Sequence, residues 1–197
     1  ENSPVDRHVL AKRVRAWAVA DGLISPLNID NLLDFNPGPP ACWRFLVSAG
    51  DSRAVEVDLT AQMIEGENTT QLFFSRPDVG PSKGRALDKE KAFSLNLRVD
   101  IEDRSFHSET QLNDEACRYF EDHLSCNMRG FVFKTDGNRQ LRVVSDGAVF
   151  HSEMEWCRDI PHPLENSRGQ KPEGDACSPG WFEVSLMPGG AASIEVS

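Results

Sequence analysis

The sequence has no apolar run approaching the length of a membrane span, and its first residues lack the zones of a secretory signal. It is short of basic residues: Lys and Arg total 21 against 31 Asp and Glu, a formal net charge of -10. That excess repels nucleic-acid phosphates and the anionic face of a membrane, so neither is expected as a partner, whereas a neutral sugar is not disfavoured. There is no P-loop, no G-x-G-x-x-G, no H-E-x-x-H and no C-x-x-C, so the common phosphate, dinucleotide and zinc signatures are missing and no cofactor is expected. Nor is there a disulfide pattern. The five cysteines (Cys42, Cys117, Cys126, Cys157, Cys177) are odd in number and irregularly spaced, which reads as free thiols and a cytoplasmic setting. The chain opens at Glu1 rather than Met, as a piece of a larger protein would.

What is present is alternation. Val55, Val57, Leu59, Ala61 and Met63 are apolar while Glu56, Asp58, Thr60 and Gln62 are polar, the period of a strand with one face on a core. After Gly66-Glu67-Asn68 a second strand through Thr69 to Ser75 completes a hairpin. Residues 77 to 91 read as a mobile loop. Phe93, Leu95, Leu97, Val99 and Ile101 then share a face until the phase slips at Glu102-Asp103-Arg104, where Phe106 falls on the wrong parity; a bend or bulge is expected there. Gly130 to Phe150 reads as a three-stranded meander with turns at Asp136-Gly137-Asn138 and Ser145-Asp146-Gly147. Residues 158 to 180 read as a long irregular connection, and Trp181 to Val196 as a closing hairpin. Val9 to Val19 and Cys42 to Val47 are further strands, and Asn113 to Leu124 is the one helix candidate. With 12 Pro and 14 Gly punctuating short strands in 197 residues, the expected fold is all-β: one domain, a large antiparallel β-sandwich.

Candidate chemistry stands beside plain structural readings. Asp103, Ser105 and His107 alternate, but no Gly-rich elbow or oxyanion hole accompanies them as a nucleophilic triad requires; a polar strand face at a rim explains them as well. His107, Cys117, His123 and Cys126 are zinc-ligand types at a spacing that fits no metal template, so no metal site is expected. The carboxylates Glu109, Asp114, Glu115, Glu121 and Asp122 suit a solvated surface as readily as a glycosidase pair. Trp17, Trp43, Trp156 and Trp181 are suited to stacking on sugar rings, yet Trp43 and Trp181 sit in apolar strand contexts that fit a core or a domain interface.

Taken in order, several segments resemble the N-terminal domain of bacterial and archaeal-type glycogen debranching enzymes of the amylo-α-1,6-glucosidase family. They are Glu65-Gly66-Glu67-Asn68-Thr69-Thr70 with the strand to Arg76; Ile101-Glu102-Asp103-Arg104-Ser105-Phe106-His107; Trp156-Cys157-Arg158-Asp159-Ile160-Pro161 with Glu165 and Arg168-Gly169; and Ser178-Pro179-Gly180-Trp181-Phe182-Glu183 through Gly189. The succession spans most of residues 55 to 197 in the right order. Ser105 stands where the family often has Asp, and the front of the family's domain looks shortened.

The resemblance implies a supersandwich of the galactose-mutarotase-like kind, placed ahead of a helical (α/α) barrel that holds the carboxylates hydrolysing α-1,6 branch linkages. This chain ends at Ser197, about where the linker to that barrel would begin, so no catalytic residue is expected within it. Its expected partners are the barrel of the same parent chain and an α-glucan. Asp103, Arg104, His107 and Trp181 are the candidates for substrate contact or for the domain interface. The alternative is a stand-alone carbohydrate-binding or protein-interaction sandwich, since architecture does not fix function.

Overall fold

The computed structural model describes residues 8–105, 109–135 and 139–197. The chain enters on β1 (His8–Ala20) and turns back as β2 (Leu23–Pro26). A 3-10 turn, Ile29–Asn31, is capped by the Asn28 side chain and leads into β3 (Leu32–Asn36), β4 (Ala41–Ser48), β5 (Arg53–Met63) and β6 (Thr70–Ser75). A long loop carrying β7 (Arg85–Ala86) precedes β8 (Phe93–Ser105) and then α1 (Asp114–His123). There follow β9 (Leu124–Asn127), β10 (Gly130–Lys134), β11 (Gln140–Ser145), β12 (Val149–His151) and β13 (Glu155–Pro161). The chain closes with α2 (Pro163–Ser167), β14 (Glu173–Ser178), β15 (Trp181–Ser185) and β16 (Ala191–Val196).

Two antiparallel sheets result, and the fold is an all-β sandwich. The seven-stranded sheet runs β12-β15-β8-β1-β2, with β14 also on β8 and β13 on β14; the nine-stranded sheet runs β3-β4-β5-β6-β16-β11-β10-β9, with β7 parallel to β5. Alternation puts Leu95, Leu97, Val99 and Ile101 of β8 on the inner face, opposite Val47 and Val57 of the other sheet, and all are buried. Phe131, Phe133 and Phe182 fill the middle of the core. Phe150 joins them, its ring 4.8 Å from that of Phe182 and 5.6 Å from that of Phe131. The helix expected from Asn113 forms: the Asn113 side chain accepts from the Ala116 amide at 2.8 Å, and Phe120 buries itself against Phe133 with rings 4.8 Å apart. The β5–β6 hairpin pairs Asp58 with Ser75 through Met63 with Thr70.

Four expectations are corrected. The meander is shifted by one strand: β9, β10 and β11 pair in succession, whereas β12 crosses to the other sheet and pairs with β15. Ser145 Oγ makes that crossing, receiving the amides of Gly147 and Ala148 and donating to the Ser193 carbonyl. The closing hairpin is an arch: β15 pairs with β8 and β16 with β6 and β11, so Phe182 and Ile194 enter the core from opposite sheets instead of lying side by side. Residues 158 to 180 contain the end of β13, then α2 started by Pro163 in the first turn, then β14. Within 77 to 91, β7 pairs with β5 and Leu87 is buried. The expected turn at Asp136-Gly137-Asn138, and Phe106 and His107, lie outside the described residues.

Candidate functional site

The inner row of β8 forces Asn96, Arg98, Asp100 and Glu102 onto the outer face of the seven-stranded sheet. An outer sheet face is ordinarily wet; here all four are buried, Asp100 at 0 % exposure and Glu102 at 2 %. Register explains it. β1 runs beside β8 with Arg13 opposite Asp100 and Arg15 opposite Arg98, so long cationic side chains lie over the carboxylates. Asp100 Oδ2 accepts from Arg13 Nε at 2.7 Å and from Arg15 Nε at 2.9 Å, and Oδ1 accepts from Arg15 Nη2 at 2.9 Å. Arg15 Nη1 then reaches Glu155 at 3.0 Å, and Arg98 lies 3.5 Å from Glu155 while donating to the Glu153 carbonyl at 2.9 Å. Burial would push the Arg15 guanidinium down, but its bonds to Asp100 more than offset this.

Trp181 belongs to the same face. Phe182 opposite Leu97 places it beside Arg98, its ring stacked on His151 at 4.2 Å and its Nε1 donating to Glu153 at 3.2 Å. His151 Nε2 lies 3.1 Å from Glu183.

The bulge expected from the phase slip is present. Val9 pairs with Arg104 and Ala11 with Ile101, which puts an extra residue in β8; Arg13 pairs with Asp100, which makes Lys12 the compensating extra residue in β1. It separates two of the candidates. Asp103 turns toward α1, accepting from Tyr119 Oη at 2.9 Å and standing 3.0 Å from His8 Nδ1, in a cleft of about 360 Å³ that Glu109, Asn113 and Glu115 also line. Arg104 turns toward α2 and donates to Glu165 at 3.1 Å. Lys12 donates to His162 Nε2 at 2.6 Å and lies 3.7 Å from Glu102. Arg104 thus lies near the end of β8 and Trp181 beside its middle, six positions apart or roughly 20 Å. His107 lies outside the described residues. The residues missed from the sequence are Lys12, Arg13, Arg15, Arg98, Asp100, Glu155 and His162; the one local signal was four polar residues in a row on alternate positions of a long strand.

The electrostatics bear on what this face can catalyse. Burial alone would raise Glu155, but Arg15 and Arg98 hold it below the usual carboxylate range. A backbone amide hydrogen bond and Arg104 do the same for Glu165. Glu102 is raised by burial, yet it is sealed behind Lys12 and inaccessible to a substrate. A glycosidase acid must be both raised and reachable. All five cysteines are free, and burial pushes the Cys177 thiol up to about 12. Among the described residues no three His, Cys, Asp or Glu gather around a point that a metal could occupy, and no helix there is long and apolar enough to cross a membrane.

His162 gives the face a pH dependence. Burial, then Lys12 and Arg104, push it below its ordinary 6.5, so the fold prefers the neutral ring that accepts from Lys12. A depressed folded value means the stabilisation is complete above 6.5 and is lost as pH falls through the folded value. Glu102, raised, runs the other way: its contribution is present below its ordinary 4.5 and is lost as pH rises through the folded value. Urea midpoints of the wild type should therefore fall between about pH 7 and about pH 5.5, and His162→Gln should flatten that slope. An unchanged slope in the variant would remove His162 from the explanation.

The family model described as "Glycogen debranching enzyme N terminal" matches residues 1–193, taking in the stretch before residue 55 that the motifs did not reach. No curated protein matches the chain.

Proposed function

The chain belongs to the family of glycogen debranching enzyme N-terminal domains, and from that premise we propose that it is a non-catalytic β-sandwich module of a glycoside hydrolase acting on α-1,6 branch linkages. Its partner is a helical catalytic barrel of the same parent chain, with α-glucan running past the rim, in the cytoplasm. The carrying observation is the state of the carboxylates on and beside the outer sheet face: Asp100 and Glu155 on the sheet and Glu165 on α2 are each held by arginine, and Glu102 is sealed. Such groups fix geometry and give an interface its register; they do not deliver protons to a leaving group.

Trp181 supports docking or substrate contact through this same face. Its ring edge and the flanking Glu153 and Glu183 offer a flat surface with acceptors at both ends. The same platform favours the second reading, a stand-alone carbohydrate-binding sandwich. The purified chain should release no glucose from branched limit dextrin, and turnover abolished by Glu155→Gln or Asp103→Asn would overturn the first reading. In the parent enzyme, Trp181→Ala should lower activity while the isolated domain melts as before. Retained parent activity together with lost glucan binding by the isolated domain would favour the second.

A further inference from the structure

Away from that face, the nine-stranded sheet has a gap. β6 pairs with β5 only from Asp58 onward and β7 only at Arg53 and Ala54, so among the described residues no strand pairs with the β5 backbone at 55–57 on that side. The loop of residues 77–91 arches over it, enclosing a cleft of about 300 Å³, at the small end of the range for ligand sites.

Arg76 lines this cleft. Its backbone is tied to the β15–β16 arch, its amide donating to the Gly190 carbonyl at 3.0 Å and its carbonyl accepting from Gly189 at 2.8 Å. Its guanidinium lies 5.1 Å over the Phe93 ring and donates once, from Nη1 to the Leu186 carbonyl at 3.1 Å. The residue is 5 % exposed, and no carboxylate among the described residues pairs with it. Glu56, the buried carboxylate in the same cleft, is committed elsewhere: it accepts from the Ser82 amide at 2.6 Å and faces Arg44 at 3.8 Å. Burial alone pushes Arg76 down from its ordinary value, with no neighbouring charge acting on it. Its remaining donors are not sealed from solvent but open on the cleft, where a negative group can meet them with no neighbouring carboxylate to displace.

The mouth of the cleft has the opposite sign. Asp78 is matched by Lys89 at 3.3 Å, but the exposed Asp88 and Glu90 have no cationic partner among the described residues. Those charges repel a free, multiply charged anion and attract a cation. A carboxylate in direct contact with the guanidinium still wins over charges across water, where screening is strong. We propose that this cleft binds a small zwitterion, its carboxylate on Arg76 and its cationic group toward Asp88 and Glu90, as in a free amino acid or the basic C-terminus of a peptide. This site is independent of the outer sheet face and of the reading built on it.

Thermal melts with L-lysine, Nα-acetyl-L-lysine, L-lysine amide and acetate, at constant ionic strength, test it. L-lysine should raise the melting temperature saturably, by about 3–5 °C at roughly tenfold its dissociation constant; lysine amide and acetate should not. Equal binding by Nα-acetyl-L-lysine assigns the site to a peptide C-terminus, and its failure assigns it to a free amino acid. Arg76→Gln should abolish the shift and, free of ligand, melt no lower than the wild type, because it removes an unmatched charge; a purely structural arginine would lower it. The exposed pair Asp88→Asn with Glu90→Gln leaves the fold intact and should weaken lysine roughly tenfold while admitting acetate. No saturable effect of either lysine carboxylate, or an equal effect of lysine amide, overturns the proposal.

Discussion

Gly180→Ala should cost about 3–4 kcal/mol of stability and lower the melting temperature by roughly 10 °C. An ideal Cβ at this position would lie 2.1 Å from the His151 carbonyl oxygen and 2.6 Å from Phe150 Cζ. Neither neighbour can retreat cheaply. His151 belongs to β12, a three-residue edge strand held to β15 by the pairs Phe150–Phe182 and His151–Trp181, so moving its carbonyl strips a whole strand from the sheet. Phe150 is wedged between Phe131 and Phe182. The control is Gly22→Ala, where φ is +84° but nothing lies within 4 Å of the added carbon; only the left-handed backbone opposes it, at about 1–2 kcal/mol. Chemical denaturation of both variants separates the two effects, and equal losses would mean that the chain at Gly180 simply moves aside.

That result would also give a physical reason for one of the sequence motifs. Ser178-Pro179-Gly180-Trp181 stood out only as part of a succession; in the fold its glycine lets β12 close over the β14–β15 connection. A second pair of motifs meets likewise. Arg104, in the stretch through the bulge, donates to Glu165, which follows Trp156-Cys157-Arg158, so two segments 61 residues apart share one ion pair. No local pattern announces such a contact.

Legibility followed the range of the information. Alternation through Val55–Met63 and Phe93–Ile101, the helical spacing within Asn113–Leu124 and the phase slip after Ile101 are local signals, and each has its counterpart in the fold. β12, β15 and β16 were visible as strands, but period-two patterning says which face is apolar and not which sheet receives the strand, so two sheet crossings read as hairpins. β14 was missed because Ala176, Cys177 and Ser178 are all buried and no alternation survives. The outer-face ladder was hidden for a related reason. Arg13 and Arg15 on β1 look like an ordinary solvated face until β1 is laid beside β8 and Arg13 falls opposite Asp100, 87 residues away.

Asp100→Asn is the direct test of that ladder, with an expected loss of about 2–3 kcal/mol. The carboxylate is at 0 % exposure and receives Arg13 Nε and Arg15 Nε on one oxygen and Arg15 Nη2 on the other. Asparagine keeps the shape but has a single acceptor oxygen; whichever way it turns, its NH2 group faces an arginine donor. The loss falls below that of a fully buried pair because Arg13 and Arg15 keep 39 % and 30 % of their side chains exposed and recover some hydration. Arg15→Gln should be worse than Arg13→Gln, since Arg15 alone joins Asp100 to Glu155. Combining Asp100→Asn with Arg15→Gln should lose less than the sum of the two, because the second change removes the donor that the first leaves opposed. Urea midpoints at constant m-value measure all of these. A loss under about 0.5 kcal/mol for Asp100→Asn would mean that the buried charges on this face contribute no more than a surface pair, and the docking role proposed for the ladder would lose its rigid base.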